Sequence, residues 1–154
     1  MNILPVTEQN IDAAALVHAL SWRESHRAFC SPEFVALHTP QRQREYLSGL
    51  LSRGTRLFLL TDPEPAGIVS VSGSLIADLY VLPDRQNRGY GTALLSYAVR
   101  QCDGTPTLWI LENNERAEKL YLKNGFRRTG NRNRITDGLD EIELAISVHE
   151  PAGL

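Results

Sequence analysis

The sequence predicts a mixed α/β (α+β) fold, in which a central mixed, mostly antiparallel sheet of about seven strands carries helices on both faces. Helical periodicity and short β-rich runs alternate along the 154 residues. Three consecutive β-rich runs between residues 56 and 83 are joined by turn sequences, which is typical of an antiparallel meander. The later β-rich runs are separated by helical segments, which favours a mixed sheet.

The first third of the chain predicts one strand followed by three helices. An apolar run at residues 3–6 forms the strand, and residues 11–22 form the first helix. Residues 21–34 interrupt this periodicity. Two further helices begin at a hydroxyl cap followed by proline, and a glycine ends the second of them; the residues are Ser31, Pro32, Thr39, Pro40 and Gly54.

The meander consists of residues 56–62, 66–73 and 74–83. Both alternating faces of the third run are largely apolar, so we expect a central strand that is covered on both sides. Pro83 ends this strand, because a central ladder cannot use a residue that lacks an N–H group.

After a glycine-containing loop, the chain predicts helix, strand, helix and a final pair of strands. One apolar stripe marks the first helix (Leu94, Leu95, Ala98, Val99, Cys102), and Asn114 and Gly125 fit the start and stop of the second. Residues 107–112, 126–131 and 139–147 form the strands. The last strand alternates Ile142, Leu144, Ile146 and Val148, and we expect its stretch from Glu141 to Val148 to offer an exposed edge for a possible homodimer.

Composition indicates one folded domain, residues 1–154, in the cytoplasm. The chain is 42% apolar and 22% charged, and it has neither a signal sequence nor an apolar segment of membrane length. We therefore expect no membrane partner. Cys30 and Cys102 are isolated and the four histidines lack ligand spacing, so we expect no metal.

The distribution of charge is compatible with binding of nucleic acid or of an anionic small molecule, and an ordinary solvated surface of mixed charge is the alternative. The net charge is −2, yet residues 85–134 hold ten Lys and Arg against four Asp and Glu. Nucleic acid is disfavoured as the partner, because the segment lacks dense interleaving of aromatic and basic residues.

The segment RQNRGYGTALL, residues 85–95, follows a strand and opens a helix. Its backbone amides therefore lie at a helix N-terminus, where an anion is favoured. Gly89 and Gly91 allow a diphosphate to approach the backbone, and Arg85 and Arg88 add positive charge. The segment lacks the Gly-Lys-Ser/Thr ending of a Walker loop, and Leu94 stands where a dinucleotide-binding loop has its third glycine. A simple strand-to-helix turn is the alternative.

Two motifs resemble the GNAT superfamily of N-acetyltransferases. Residues 86–91, QNRGYG, resemble the family's Q/R-x-x-G-x-G/A pyrophosphate loop. Residues 111–126, LENNERAEKLYLKNGF, resemble its N-x-x-A and L-Y-x-K-x-G-F signature, and one helix and one strand separate the two motifs. The resemblance covers nearly the whole chain. It implies acetyl transfer from acetyl-CoA to an amine by direct attack; a non-catalytic acyl-CoA-binding module is the alternative.

The resemblance also implies the residues that bind the cosubstrate. The loop amides hold the diphosphate, and a strand pairs with the pantetheine arm and polarises the acetyl carbonyl through an amide near Leu79 or Tyr80. Asn114 contacts the pantetheine or acts as a helix cap alone. The basic side chains of Lys119, Lys123 and Arg127 lie near the 3′-phosphate. The binding residues are Leu79, Tyr80, Val81, Gln86, Asn87, Arg88, Gly89, Tyr90, Gly91, Thr92, Asn114 and Lys123.

The implied catalytic residues are Tyr121 and Asp78. Tyr121 matches the family's tyrosine that protonates the leaving thiolate; the alternative is a core tyrosine. Asp78 is the one charged side chain within residues 75–82 and is our first candidate for the base, with a structural carboxylate as the alternative. Glu112, Glu24 and water are the other candidates.

The acceptor is a small-molecule or peptide amine, and the resemblance places its recognition near residues 21–34. Arg23 and Arg27, together with Trp22 and Phe29, suit an amine that also carries a carboxylate or phosphate. Solvated charges at a helix end are the alternative. The sequence leaves the acceptor's identity and the acyl chain preference open.

Overall fold

A computed structural model describes residues 1–28 and 30–146; Phe29 and residues 147–154, and with them Val148 of the predicted last strand, lie outside the described residues. The elements follow one another in the order that the sequence predicts. They are β1 (Asn2–Pro5), α1 (Ile11–His26), α2 (Pro32–Ala36), α3 (Pro40–Ser52), β2 (Arg56–Thr61), β3 (Pro65–Ser72), β4 (Leu75–Val81), a 3-10 turn (Pro83–Arg85), α4 (Tyr90–Gln101), β5 (Thr107–Leu111), α5 (Glu115–Lys123), β6 (Arg127–Thr136) and β7 (Leu139–Ala145).

In the described part of the chain the strands form one seven-stranded sheet in the order β1-β2-β3-β4-β5-β7-β6. The β4–β5 pair is parallel, and the other neighbours are antiparallel. The predicted mixed, mostly antiparallel sheet is confirmed.

The prediction that the last strand is an exposed edge is wrong for the residues that the structure describes. β7 lies between β5 and β6, and it pairs with β5 from Thr107↔Ala145 to Leu111↔Glu141. This position buries Ile142 and Leu144, the apolar face of the strand. The edge on this side is β6, whose residues are all exposed.

β4 has the predicted central position, and α4 and α1 pack against its two faces as predicted, but most of its residues are only half-buried. Among its residues only Ile76 is buried, whereas six of the eight residues of β3 are buried. The reason is that β4 and β5 pair only at Leu75↔Thr107. Beyond that point the remainder of β4 has a neighbouring strand on the β3 side alone.

Helix α1 is longer than the sequence predicts. It continues to His26 through the segment that was expected to break the periodicity. Trp22 and His26, four residues apart, stack with ring centroids 4.0 Å apart. This spacing places both rings on one helix face and stabilises the last turn. The predicted caps of α2 and α3 are confirmed, because Ser31 accepts from the Phe34 amide and Thr39 from the Arg42 amide.

The sheet separates two apolar clusters. α4 and α5 cover one face, where Leu94, Leu95 and Ala98 are buried as the predicted stripe requires. α1 and α3 cover the other face, where Ile11 and Leu47 are buried. Helices therefore flank the sheet on both sides, as predicted. None of the described helices combines the length and the apolar character that crossing a membrane requires.

Candidate active site

The loop before α4 presents a row of free backbone donors. Asn87 and Gly89 have left-handed backbone conformations, with φ of 63° and 85°, and Gly89 directly precedes the helix. Within the described residues, no amide from Gln86 to Thr92 donates a hydrogen bond, and the first that does is Ala93, to the Gly89 carbonyl at 3.0 Å. Consecutive free N–H groups at a helix N-terminus bind an anion.

Three side chains of this loop anchor it to the protein. The Gln86 amide donates to the Val81 carbonyl at 3.1 Å, and the Tyr90 hydroxyl donates to the Asp62 carboxylate at 2.7 Å. Arg85, which we expected to face the ligand, donates to the Asp62 carbonyl at 2.6 Å. Gln86 and Tyr90 therefore keep only their amides for a ligand, and Arg85 holds the loop in place.

The two glycines of the loop serve different purposes. A Cβ at Gly89 would have no protein atom within 4 Å, so the position opens onto free space and requires glycine for its φ. A Cβ at Gly91 would lie 3.4 Å from Leu120 of α5. Gly91 therefore lies against α5, and Arg88 is exposed beside the loop.

An open strand edge leads away from the loop. Since β4 and β5 pair at one position only, the edge of β4 that carries Leu79, Tyr80 and Val81 has no neighbouring strand on the β5 side among the described residues. Pairing with β3 runs from Ile68↔Tyr80 to Ser70↔Ala77, so Asp78 and Leu79 form a β-bulge opposite one residue. An extended group can add to such an edge.

The second motif lies on the β5 side of this opening. Asn114 accepts from the Ala117 amide at 3.1 Å through Oδ1, and its Nδ2 donates to none of the described residues. Lys119 and Lys123 are exposed on α5. Arg127, in contrast, donates to the carbonyls of Leu122 and Phe126.

Most of the basic charge after α5 is paired within the protein. Arg128 binds Glu118 at 2.6 Å, and Arg132 binds both Glu112 and Asp140. An anion at the loop is therefore held mainly by the free amides and by the unpaired cations on the loop and α5.

Tyr121 lies on the α4/α5 face of the sheet. Its side chain is 8% exposed, and its ring packs against Phe126 at 5.9 Å between centroids. Burial raises the pKa of Tyr121 above its usual value, so the phenol stays protonated at neutral pH. No described residue accepts from its hydroxyl, so the proton remains available to a ligand.

Asp78 lies at the bulge, on the α1/α3 face, with a left-handed φ of 50°. Its carboxylate accepts from His18 Nε2 at 3.0 Å, from the Ser70 hydroxyl at 3.1 Å and from the Tyr46 hydroxyl at 3.1 Å. Burial and the charge of Asp78 raise the pKa of Tyr46 to about 12, so this phenol acts as a donor. Both carboxylate oxygens therefore have hydrogen-bond partners. Of the three donor residues, Tyr46 is the exposed one.

His18 and Gln43 extend this network into the core. Gln43 donates to His18 Nδ1 at 2.8 Å, while His18 Nε2 carries the hydrogen that Asp78 accepts. Both side chains are buried. This arrangement holds the imidazole of His18 between Gln43 and Asp78 and keeps the carboxylate in one orientation.

A pocket of about 260 Å³ opens beside this network. One wall is aromatic: Trp22 stacks against His38 at 3.5 Å and against His26 at 4.0 Å between centroids. α1 and α3 supply most of the lining, which consists of His18, Trp22, His38, Arg42, Gln43, Tyr46 and Asp78.

The structure brings some of the expected acceptor residues to this pocket and leaves others outside. Trp22 and Asp78 line it, whereas the Arg27–Glu24 pair lies at the surface and Arg23 does not reach it. Glu112 is bound to Arg132, away from the pocket. Phe29 lies outside the described residues.

Sequence reasoning missed His18, Tyr46, Gln43 and Ser70. The signal was present, because His18 and Gln43 are polar residues at core-facing positions of their helices, where a polar side chain needs a partner. Among the described residues, no group of three or more His, Cys, Asp or Glu is arranged to hold a metal.

The loop presents free backbone amides beside an open strand edge, and this combination is suited to a phosphorylated ligand that carries an extended arm. Residues 53–128 match the family model described as the acetyltransferase (GNAT) domain. The chain is 29% identical to peptidyl-lysine N-acetyltransferase YjaB of Salmonella typhimurium over 117 residues, which cover 75% of this chain and 78% of the relative.

Solved structures share the fold. The PaiA N-acetyltransferase of Thermoplasma acidophilum in complex with coenzyme A superimposes with a TM-score of 0.68 at 17% identity, covering 96% of this chain and 100% of that one. Apo-form YjaB of Escherichia coli gives a TM-score of 0.64 at 21% identity, covering 94% and 95%. Residues 53–128 therefore match a GNAT acetyltransferase domain, and the curated relative and the coenzyme A complex that share sequence or fold with this chain are named N-acetyltransferases.

Proposed function

We propose that this protein transfers an acetyl group from acetyl-CoA to the amine of a small molecule or peptide by direct attack. The observation that carries the proposal is one continuous path: free amides at residues 86–92 lead to the open edge of β4, and this edge ends at the bulge formed by Asp78. A diphosphate followed by an extended arm has the chemistry that such a path requires.

The chain's own residues fit each part of the cosubstrate. The amides from Gln86 to Thr92 hold the diphosphate, and Arg88, Lys119 and Lys123 supply positive charge near it. Asn114 Nδ2 donates to the arm, while its Oδ1 caps α5. The strand residues Leu79, Tyr80 and Val81 offer their backbone, and an amide near Leu79 or Tyr80 polarises the thioester carbonyl.

The reaction forms a C–N bond and breaks the thioester C–S bond. The acceptor arrives as an ammonium ion, and Asp78, directly or through a water, takes a proton so that the neutral amine can attack. As the thiolate leaves it takes a proton from Tyr121, and the second proton of the attacking nitrogen returns to this phenol as the amide forms. The products are an N-acetyl amine and free CoA, and one proton is released.

A non-catalytic acyl-CoA-binding protein is the second candidate. It is favoured by the saturation of Asp78, because a carboxylate that already accepts from His18, Tyr46 and Ser70 is also what a structural role requires. The two candidates differ in turnover, since both bind the cosubstrate.

The test is a titration of the purified protein with acetyl-CoA, followed by a thiol-release assay with a panel of amines. Micromolar binding and amine-dependent thiol release support the enzyme. Binding without release from any amine supports the second candidate. Absence of binding contradicts both. A single domain over residues 1–154, a cytoplasmic location and homodimerisation stay proposals from the sequence, and size-exclusion chromatography with light scattering tests the dimer.

A further inference from the structure

The pocket beside Asp78 carries two opposite charges. Of its lining residues, Asp78 is acidic and Arg42 is basic. They come from different elements, β4 and α3. A pocket with one group of each sign is complementary to a ligand that itself carries both signs.

Arg42 has no structural role that the described residues reveal. Its guanidinium forms no hydrogen bond or ion pair with any of them, whereas Arg44, two residues further on, binds Asp12 at 2.6 Å. Arg42 also lies in the first turn of α3, which contains no acidic residue. A positive charge there interacts unfavourably with the helix dipole, so Arg42 destabilises α3. No contact with a described residue offsets this loss of stability.

The carboxylate of Asp78 is largely buried and held in place, unlike a solvated surface charge. Its side chain is 13% exposed, and three donors from α1, α3 and β3 fix its orientation. The most exposed of these donors is the Tyr46 hydroxyl. An ammonium group that enters the pocket replaces this hydrogen bond with a charge-assisted one.

The pocket also has an aromatic wall. The stacked rings of Trp22 and His38 supply it, with Tyr46 nearby. The volume of about 260 Å³ lies below the range of roughly 300 to 1,000 Å³ that drug-sized ligands occupy. A ligand of the size of an amino acid fits this space.

We propose that the acceptor is a small zwitterionic amine, such as an amino acid. Its ammonium group binds at Asp78, its carboxylate binds Arg42, and its apolar body lies along Trp22 and His38. The inference rests on the proposed function and narrows its substrate class. Arg42 thus takes the role in anion recognition that the sequence assigned to Arg23 and Arg27.

The experiment compares amines that differ only in the carboxylate. The full chain is assayed for thiol release with phenylalanine against phenethylamine, with tryptophan against tryptamine, and with a lysine-containing peptide. We expect the amino acid of each pair to have the higher kcat/KM, because its carboxylate binds Arg42.

Two variants assign that preference to one side chain. Arg42→Gln raises KM for the amino acid about 10- to 100-fold, the effect of losing one hydrogen bond between charged groups, and leaves KM for the matched amine unchanged. Arg44→Gln, a neighbouring arginine outside the pocket, leaves both values unchanged. Both variants bind acetyl-CoA as the wild type does, which shows that they are folded.

The outcomes separate this inference from the proposed function. If amines without a carboxylate, or the lysine peptide, release thiol as fast as the amino acids do, or if Arg42→Gln leaves the preference intact, the inference is overturned and the proposed function stands. If acetyl-CoA does not bind, or no amine releases thiol, the proposed function fails and the inference fails with it.

Discussion

The sheet separates two residues of this site, the proposed proton donor and the proposed proton acceptor. Tyr121 belongs to the apolar cluster under α4 and α5, whereas Asp78 faces α1 and α3. Tyr80 is within electrostatic reach of both: burial raises its pKa most, and the charges of Asp78, Tyr46 and Tyr121 add to the effect. A proton donor and a proton acceptor can therefore act at the same strand edge without neutralising each other.

The donor assignment is tested by Tyr121→Phe. The ring packing against Phe126 is kept, so we expect the variant to bind acetyl-CoA with unchanged affinity. Turnover should fall about 100-fold or more, because a transition-state proton donor is lost. Tyr97→Phe is the matched control, since Tyr97 packs against Phe58 at 4.9 Å on the same face. Equal turnover in wild type and Tyr121→Phe would show that Tyr121 serves packing only.

At the scale of elements, the loop before α4 combines free backbone amides, which can bind an anion, with left-handed backbone conformations. Gly89 is the position where both can be tested, because it has a positive φ and faces open space. Gly89→Glu places a carboxylate among the free amides, and we expect it to abolish acetyl-CoA binding in a calorimetric titration.

Strain alone must be separated from charge in this experiment. Gly73→Glu in the β3–β4 turn provides the control, since Gly73 also has a positive φ and no neighbour within 4 Å of a Cβ. Both variants should lose similar stability. Unchanged affinity in Gly89→Glu, or equal loss in Gly73→Glu, would contradict our interpretation of the loop.

The C-terminal turn of α1 predicts a pH response of the aromatic wall. Burial lowers the pKa of His26 below 6.5, and the neighbouring His38 and His18 act in the same direction, while the hydrogen bond to the Trp22 carbonyl opposes them. The folded protein therefore binds this proton less tightly than the unfolded chain does. Its contribution to stability is complete above pH 6.5 and is lost as the pH falls from there through the folded pKa.

We expect the melting temperature to decrease as the pH is lowered from 7.5 to 5.5, together with a change in tryptophan fluorescence from Trp22, whose ring stacks on His26. His26→Phe keeps a ring in the stack and removes the titrating group, so its melting temperature should depend less on pH in this range. The same pH dependence in both proteins would assign the effect to another group.

Local chemistry explains which elements the sequence predicts well. The starts of α2 and α3 follow from a hydroxyl cap before proline, and the loop follows from glycines between a strand and a helix. These features need only neighbouring residues. The bulge at Asp78 and the end of α1 depend on contacts with other elements, so periodicity alone did not predict the bulge and underestimated the length of α1.

At the scale of the whole molecule, the pocket beside Asp78 could not be predicted from sequence. His18 and Asp78 are 60 residues apart, and His18 and Gln43 are 25 apart. A polar residue at a core-facing position indicates that a partner exists but not which residue it is, and only the packing of α1 and α3 on the sheet brings the partners together. The two family motifs, in contrast, identify the cosubstrate side because each is contiguous in sequence.

The sheet also couples the two halves of the site energetically. β2 contributes Phe58 and Leu60 to the cluster under α4 and α5, and Leu57 and Leu59 to the cluster under α1 and α3. Since alternate residues of one strand belong to different clusters, loss of packing in either cluster destabilises a strand that both clusters share. The cosubstrate side and the acceptor side should therefore unfold as one cooperative unit.

This coupling predicts the effect of truncating either cluster. Leu47→Ala on α3 and Leu108→Ala on β5 remove fully buried side chains from opposite faces, and each should cost about 2 to 5 kcal/mol in the free energy of unfolding. Calorimetry should show a single transition at a lower temperature in both variants, because the shared strands transmit the loss. Two transitions, with only one of them shifted by each substitution, would show that the faces unfold independently and that the sheet does not couple the two parts of the site.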